Sequence, residues 1–129
     1  MPWLPIPPLA AKVNVAAERK DLDSLWHWYR KLIALRRVNP AMREGVTTFF
    51  DRDAQHSVVF TRTANKASTL LVAVNMKDEA VTLSVAADVA MGRIRGLKPL
   101  LVSHEAMKTA TPDALTLPPF GVYIGMIRR

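Results

Sequence analysis

The sequence predicts a mainly β protein, an antiparallel β-sandwich preceded by an extended proline-rich segment and one amphipathic helix. Three observations lead to this prediction. Four prolines fall within the first eight residues, and an apolar pattern of helical period follows them. After Gly45 come short runs rich in Val, Leu, Thr and Phe, separated by turn residues. We therefore expect two parts, residues 1–45 for the segment and helix and residues 46–129 for the sandwich.

The opening segment should be extended, because proline blocks helix formation and restrains the residue before it. Trp3, Leu4 and Ile6 are the apolar side chains expected to hold this segment across a surface. Trp3 is also the best candidate for an exposed aromatic ring. The prolines concerned are Pro2, Pro5, Pro7 and Pro8.

The helix should run from about Ser24 to Arg37, with Asp21, Asp23 or Ser24 as its N-cap. It should end before Pro40, since the residue preceding a proline avoids the α region. Its apolar arc covers about half the circumference, which predicts packing against more than one surface. The arc contains Leu25, Trp26, Trp28, Tyr29, Leu32, Ile33 and Leu35.

Arg36 falls inside this arc and allows two interpretations. Its charged end either extends to solvent along an apolar stem or forms an ion pair with a partner segment. Because the arc is expected to be buried, we also predict that Leu32→Asp destabilises the fold through an unpaired charge.

Seven strands are expected in the second part, with polar turns between them. Short strands that follow one another at this spacing favour an antiparallel sandwich. Pro118 and Pro119 should interrupt pairing before the last strand or mark an edge of the sheet. The predicted strands are Val46–Phe50, Ser57–Thr63, Thr69–Met76, Ala80–Val85, Lys98–Ser103, Ala114–Leu117 and Gly121–Arg128; the turns are Asp51–Gln55, Ala64–Ser68 and Met76–Ala80.

Composition limits the partners and the chemistry. The 129 residues suit one ordinary domain, and with no cysteine the chain has no thiolate metal site or thiol nucleophile. No apolar run is long enough to cross a membrane, so no membrane partner is expected. The net charge of +7 is spread over helix, turns and strands, whereas nucleic-acid binding proteins concentrate it on one face. The compartment is left undecided.

No catalytic residue, metal ligand or cofactor site is predicted. Glycoside hydrolysis needs two facing carboxylates, and the acidic residues here sit in predicted turns and helix ends. The run Asp51-x-Asp53-x-Gln55 resembles the start of a calcium loop, but His56 and Arg62 occupy the positions that need glycine and glutamate. The histidines show no ligand spacing.

An ordered set of short motifs resembles one region of one family, the C-terminal region of the α-glucosidases and oligo-1,6-glucosidases of the α-amylase superfamily. The resemblance covers nearly the whole chain and is strongest over residues 1–45. It rests on Pro2–Pro5, Asn14–Glu18, Ser24–Arg37, Asn39–Ala41 with Gly45, Leu70–Met76, Leu97–Ser103 and Leu117–Ile124.

The resemblance implies that Ser24–Arg37 is the last helix of a (β/α)₈ barrel and that residues from about 46 form the all-β C-terminal domain. Pro2–Glu18 would then be the loop near the mouth of the active site. The family's catalytic carboxylates lie in earlier barrel strands, so none is carried over. One departure is the apolar stretch Pro7–Lys12, where relatives are more polar.

The favoured hypothesis is a non-catalytic C-terminal fragment of an α-glucosidase-like hydrolase acting on α-linked gluco-oligosaccharides with retention. Its partner would be the missing catalytic barrel, on which it packs and which it stabilises. The alternative is an independent carbohydrate-binding module that binds an α-gluco-oligosaccharide, with Trp3 as the substrate-binding residue and Trp26 as a second ring. A basic interaction domain is the third hypothesis.

Overall fold

A computed structural model describes residues 3–50, 55–86 and 93–129. The chain divides into two compact units, residues 1–34 and 35–129, and the division falls inside a helix. The helices are α1 (Val15–Glu18), α2 (Leu25–Val38) and α3 (Pro40–Glu44), with 3₁₀ turns at Pro8–Ala11 and Glu105–Thr109; the strands are β1 (Val46–Phe50), β2 (Ser57–Thr63), β3 (Leu70–Asn75), β4 (Val81–Leu83), β5 (Gly96–Val102), β6 (Leu115–Leu117) and β7 (Val122–Arg128).

All seven predicted strands are present, and the bounds of β1 and β2 agree with the prediction. The other strands begin and end within two residues of their predicted bounds. The predicted turn Asp51–Gln55, which carries the calcium-like pattern, falls largely on residues 51–54, outside the described residues. The sequence boundary at residue 46 coincides with the start of β1, and as a domain boundary it stays a prediction.

The strands form two antiparallel sheets, as the sequence predicts. Five strands pair in the order β1-β2-β3-β7-β5, and β4 pairs with β6. Opposed residues in a ladder share a face, which places Phe50, Val59, Ala73, Tyr123 and Val102 in one row on the inner face of the larger sheet. Leu83 of β4 and Leu115 and Leu117 of β6 belong to the same apolar core.

The inner row also explains a glycine in the central strand β7. Tyr123 is completely buried and its ring lies over Gly125, where an added Cβ would come 2.5 Å from the Tyr123 hydroxyl oxygen. That hydroxyl has no hydrogen-bond partner among the described residues, and burial raises the pKa of Tyr123 to about 12.

Two polar side chains tie the second unit together. Asn75 is buried, its Nδ2 donates to the carbonyls of Glu79 (2.7 Å), Pro118 (2.8 Å) and Leu117 (3.3 Å), and its Oδ1 accepts from the Lys77 backbone N–H. It therefore joins the end of β3 to the segment that follows β6.

Arg62 of β2 is the second such side chain. It donates to the carbonyls of Ala41 (3.1 Å) and Met42 (3.2 Å) and to the Thr47 hydroxyl (2.8 Å). A cation at these carbonyls is favourable because they lie near the C-terminal end of α3. Arg62 thus connects α3 to the β1–β2 hairpin.

Pro118 interrupts pairing before the last strand, as expected. The Gly121 N–H donates to the Pro118 carbonyl at 2.8 Å and closes a turn. Phe120 occupies the third position of that turn with a φ of 52°, a left-handed conformation that is uncommon for a residue with a side chain. Strand β7 begins after this turn, at Val122.

The helical predictions need three corrections. The opening segment is not extended throughout, because Pro8 begins a 3₁₀ turn and Asn14 caps α1. Proline is compatible with the first turn of a helix, where its missing N–H has no partner to lose. The chain also forms α3 directly after Asn39, with Pro40 in its first turn.

The third correction concerns α2, which begins and ends one residue later than predicted. None of its residues is buried, and Leu25, Tyr29 and Ile33 are at least half exposed. Arg36 donates to the Met42 carbonyl and forms no ion pair within the described residues. The apolar arc expected to be buried is therefore exposed at these three residues and half-buried at the other four, which are Trp26, Trp28, Leu32 and Leu35. In the part of the chain that the structure describes, no helix has the length and apolar character needed to cross a membrane.

Candidate functional site

The first unit is organised by local hydrogen bonds around two short turns. The Asn14 Oδ1 accepts from the Ala17 N–H at 2.9 Å, and its Nδ2 donates to the Ala10 carbonyl at 3.0 Å. Asn14 therefore caps α1 and also holds the preceding 3₁₀ turn against it. Asparagine is among the strongest N-cap residues because its short side chain reaches the free N–H groups.

The N-terminus of α2 is capped by a residue that the sequence analysis missed. Glu18 Oε2 accepts from the Trp26 N–H at 3.1 Å, and the Ser24 hydroxyl donates to the Glu18 carbonyl at 2.6 Å. Ser24 starts the helix through its own carbonyl, which accepts from the Trp28 N–H. Of the other two predicted caps, Asp21 accepts from the Asp23 N–H instead. The Glu18 carboxylate at the N-terminus of α2 is favoured by the helix dipole.

An open cleft of about 280 Å³ lies beside this cap. Its polar lining comes from Lys12, Glu18, Asp21 and Ser24, and its apolar lining comes from one residue before α1, one residue of α1 and the first residue of α2. The Glu18 carboxylate is already engaged by α2. The lining residues are Lys12, Val13, Ala17, Glu18, Asp21, Ser24 and Leu25.

Trp26 is surrounded by cationic and aromatic side chains. The guanidinium carbons of Arg19 and Arg30 lie 5.4 and 4.7 Å from the centre of its ring, within the range of cation–π attraction. The His27 ring meets the Trp26 ring edge-on, with 4.7 Å between the two ring centres. Stacking of a sugar on Trp26 would have to displace these guanidinium groups, so Trp26 is poorly placed as an aromatic platform.

Trp3 is placed quite differently. It is 91% exposed, the largest exposed fraction among the large apolar side chains of the described residues. It does not line the cleft. The sequence prediction of Trp3 as a substrate-binding residue stays a prediction.

The carboxylates of the described residues serve local roles. Glu105 pairs with Lys108 at 2.6 Å, and Glu44 lies 4.0 Å from Arg43. The hydrogen bond from Lys77 lowers the pKa of Glu79, which is opposite to the shift that a general acid needs. Within residues 3–50, 55–86 and 93–129, no three His, Asp or Glu side chains come together as metal ligands would.

The most distinctive surface of the first unit is apolar. Ten of the sixteen large hydrophobic side chains that are exposed in the described chain lie between residues 3 and 34. A concentration of exposed apolar side chains in one unit is typical of regions that contact another protein segment. We call this set the N-terminal apolar surface; it comprises Trp3, Leu4, Ile6, Leu9, Val13, Val15, Leu22, Leu25, Tyr29 and Ile33.

Sequence comparison finds relatives among longer glycosidases. The oligo-1,6-glucosidase of Heyndrickxia coagulans is 32% identical over 81 residues, which is 63% of this chain and 14% of that protein. A probable α-glucosidase of Rhizobium meliloti (strain 1021) is 26% identical over 126 residues, 98% of this chain and 21% of that protein. No family model matches the chain.

Solved structures that resemble the chain also match it over nearly its whole length. The trehalulose synthase of Pseudomonas mesoacidophila MX-45 superposes with a TM-score of 0.83 and 27% identity over 98% of this chain, which is 22% of that chain. The chain is homologous to the C-terminal region of α-glucosidases of the α-amylase superfamily. The isomaltulose synthase of Klebsiella sp. LX3, at 24% identity and a TM-score of 0.85, shares the fold of this α-glucosidase-type region.

The family and the fold class were therefore both correctly predicted from the sequence. The sequence motifs did not reveal the Glu18 cap, because its acceptor lies eight residues before the helix N–H that it binds. The capping patterns recognisable in sequence place donor and acceptor within three residues. The chain spans only 14% and 21% of the length of these two glycosidases.

Proposed function

We propose that the chain is the non-catalytic C-terminal part of an α-glucosidase-like glycoside hydrolase that acts on α-linked gluco-oligosaccharides. In this proposal the N-terminal apolar surface packs on the catalytic (β/α)₈ barrel and stabilises it. The catalytic carboxylates would belong to the barrel, and the chain would supply none of them.

The observation that carries the proposal is the exposure of the N-terminal apolar surface. Leu25 is 61% exposed and Ile33 is 50% exposed, although both belong to the apolar arc of α2. Covering apolar area contributes roughly 25 cal/mol per Å², so a barrel seated on this surface would gain stability from it. The homologous region in the matched relatives is a small share of a much longer chain, which supports the same arrangement.

The size of the native protein in its source cells tests the proposal directly. An antibody raised against the chain should detect a band far above 14.4 kDa on an immunoblot. The protein in that band, once purified, should release glucose from isomaltose or maltose. A band at 14.4 kDa alone, in the absence of proteolysis, would contradict the proposal.

A charge placed on the N-terminal apolar surface should affect the stability of the 129-residue chain and of the larger protein differently. In the 129-residue chain, Ile33→Asp should change the free energy of unfolding by less than about 0.5 kcal/mol, because the side chain faces solvent. In the larger protein, the same change should cost about 2 kcal/mol or more, because it buries an unpaired charge. Denaturant titration of both forms measures this difference.

Ala34→Asp is the matched control, since Ala34 is exposed on the helix but outside the apolar arc. It introduces the same residue into the same helix and should have a similar small effect in both proteins. An equal effect of Ile33→Asp and Ala34→Asp in the larger protein would remove the support for packing through this surface.

The exposure of Trp3 favours the carbohydrate-binding module as a second candidate. An exposed indole can stack on a sugar ring, and Trp3 is the most open of the three tryptophans in the chain. If the chain binds sugar by itself, maltotriose should shift its tryptophan fluorescence with saturation. Trp3→Ala should abolish that shift, whereas Trp26→Ala should preserve it. A flat titration of the wild-type chain would exclude this candidate.

A further inference from the structure

The two edges of the five-stranded sheet differ in how they are protected. Edge strand β5 contains Lys98 and Pro99, and its ladder with β7 is irregular between Pro99 and Leu101. A lysine, a proline and a bulge are three common devices that prevent an edge from pairing with another strand. Strand β5 therefore carries several obstacles to further pairing.

Edge strand β1 has none of these devices. Its sequence, Val-Thr-Thr-Phe-Phe, contains no charge and no proline, and its ladder with β2 is regular over all five residues. Val46 is 72% exposed and Phe49 is 49% exposed. In the described chain, β1 backbone groups form no hydrogen bonds outside this ladder. Every second N–H and C=O of β1 thus faces outward without a partner among the described residues.

We propose that β1 pairs antiparallel with β1 of a second copy of this chain, about a two-fold axis at Thr48. The pairing would join the two larger sheets into one continuous sheet. It is isologous, so each copy offers the same strand and no second kind of partner is needed.

The side chains of β1 are complementary to themselves in this register. Thr48 lies opposite Thr48 of the second copy, and Val46 lies opposite its Phe50. On the outer face, Phe49 lies opposite Thr47, and the two Phe49 rings become diagonal neighbours within aromatic reach. Phe49 already contacts Phe60 of β2 at 5.4 Å between ring centres, so the contact would extend an existing aromatic pair.

Charge does not oppose a second copy at β1 itself. The chain carries a net charge of +7, so two copies repel each other at most approaches. Strand β1 carries no charge, and the described strands that contain basic residues are β2, β5 and β7. The interface is small, and we expect a dissociation constant on the order of 10–100 µM.

Single cysteines test the register, because the natural chain contains none. Thr48→Cys places the two thiols opposite each other on the symmetry axis, within the distance that a disulfide spans. Val46→Cys places them about 14 Å apart, four residues along the strands, which a disulfide cannot bridge. Thr116→Cys, at the exposed residue of β6, reports random collision.

Under mild oxidation at 100 µM, Thr48→Cys should form covalent dimer at least about tenfold faster than the two control variants. Equal rates for all three variants would overturn the proposal. The reduced variants should have the melting temperature of the wild type, which excludes misfolding as the cause of any difference.

Sedimentation equilibrium gives a second test that does not depend on thiol chemistry. The wild-type mass should rise from 14.4 kDa towards twice that value between 5 and about 500 µM. Thr48→Lys should weaken association at least about tenfold, since it places two like charges together on the axis.

Ile33→Asp should leave the dimer unchanged, because the proposal does not involve the N-terminal apolar surface. A monomer at all concentrations, or a dimer lost only with Ile33→Asp, would overturn the proposal. So would a monomeric longer protein whose β1 amides are protected from hydrogen exchange, because the edge would then be covered by the rest of that protein.

Discussion

Residues 35–129 and residues 3–34 have similar shares of apolar side chains but use them differently. In the second unit these side chains form a core in which Leu71, Leu117 and Tyr123 are completely buried. In the described part of the first unit, Ser24 is the only buried residue. The difference indicates that the second unit is stabilised by its own packing, whereas the first keeps its shape mainly through helix caps.

The largest expected difference between the units comes from removing a leucine side chain in each. Leu117→Ala should lower the free energy of unfolding by about 3–5 kcal/mol, since it opens a cavity between the two sheets. Leu25→Ala should change it by less than about 0.5 kcal/mol, because Leu25 is 61% exposed. Urea titration of the full chain compares the two. Similar losses would mean that α2 is packed as tightly as the core.

Two asparagines allow the same comparison for polar groups. Asn75→Ala should cost about 2–3 kcal/mol, because it leaves buried carbonyls at the end of β3 and after β6 without their donor. Asn14→Ala should cost about 1 kcal/mol or less, the usual value for a helix cap. Thermal unfolding of both variants measures the difference. A larger effect at Asn14 would show that the first unit depends on this cap more than its exposure indicates.

Substitution of the two tyrosines should have the smallest effect on stability at neutral pH. The difference between them should appear mainly at alkaline pH. Burial raises the pKa of Tyr123 to about 12, above its ordinary value of 10.0, so the folded state holds this proton after the unfolded chain releases it. The stability that depends on the protonated Tyr123 is fully present below pH 10. As the pH rises towards 12, the free energy of unfolding falls by about 2–3 kcal/mol. Tyr123→Phe should remove this loss and change stability at pH 7 by at most about 1 kcal/mol, because the hydroxyl has no partner.

Tyr29→Phe is the control, since Tyr29 is 58% exposed in the first unit. Its stability between pH 9 and pH 12, followed by circular dichroism, should fall as steeply as that of the wild type. If the stability of Tyr123→Phe falls with pH as that of the wild type does, the loss of stability at alkaline pH does not come from Tyr123.

The strands could be predicted because their patterns are local. Ser57–Thr63 alternates between sheet faces, and Leu70–Asn75 is apolar enough to mark a central strand. The order β1-β2-β3-β7-β5 could not be derived from these patterns alone, because pairing of β3 with β7 joins residues about fifty positions apart. No local signal encodes that contact.

The apolar arc of α2 was predicted correctly as a pattern but wrongly as buried surface. Periodicity identifies which side chains share a face of a helix, such as Leu25, Trp28 and Leu32, and it does not identify what covers them. The candidate site shows the same limit. Exposure of Trp3 follows from its proline-rich surroundings, and Arg30 lies over Trp26 because it follows four residues later on the same helix. The position of Arg19 over Trp26 depends instead on how α1 and α2 meet.

The position of β7 in the larger sheet has a consequence for synthesis of the chain. Strand β7 is made after all the others, yet it lies between β3 and β5 and pairs with both. During translation the hairpins β1–β2 and β2–β3 can form early, but β5 has no neighbour in this sheet until β7 has emerged from the ribosome. A stop codon between the end of β5 and Val122 would therefore remove an interior strand rather than an edge strand. It would leave β5 without a partner in this sheet and would expose the edge of β3 that β7 covers, and both would be open to aggregation.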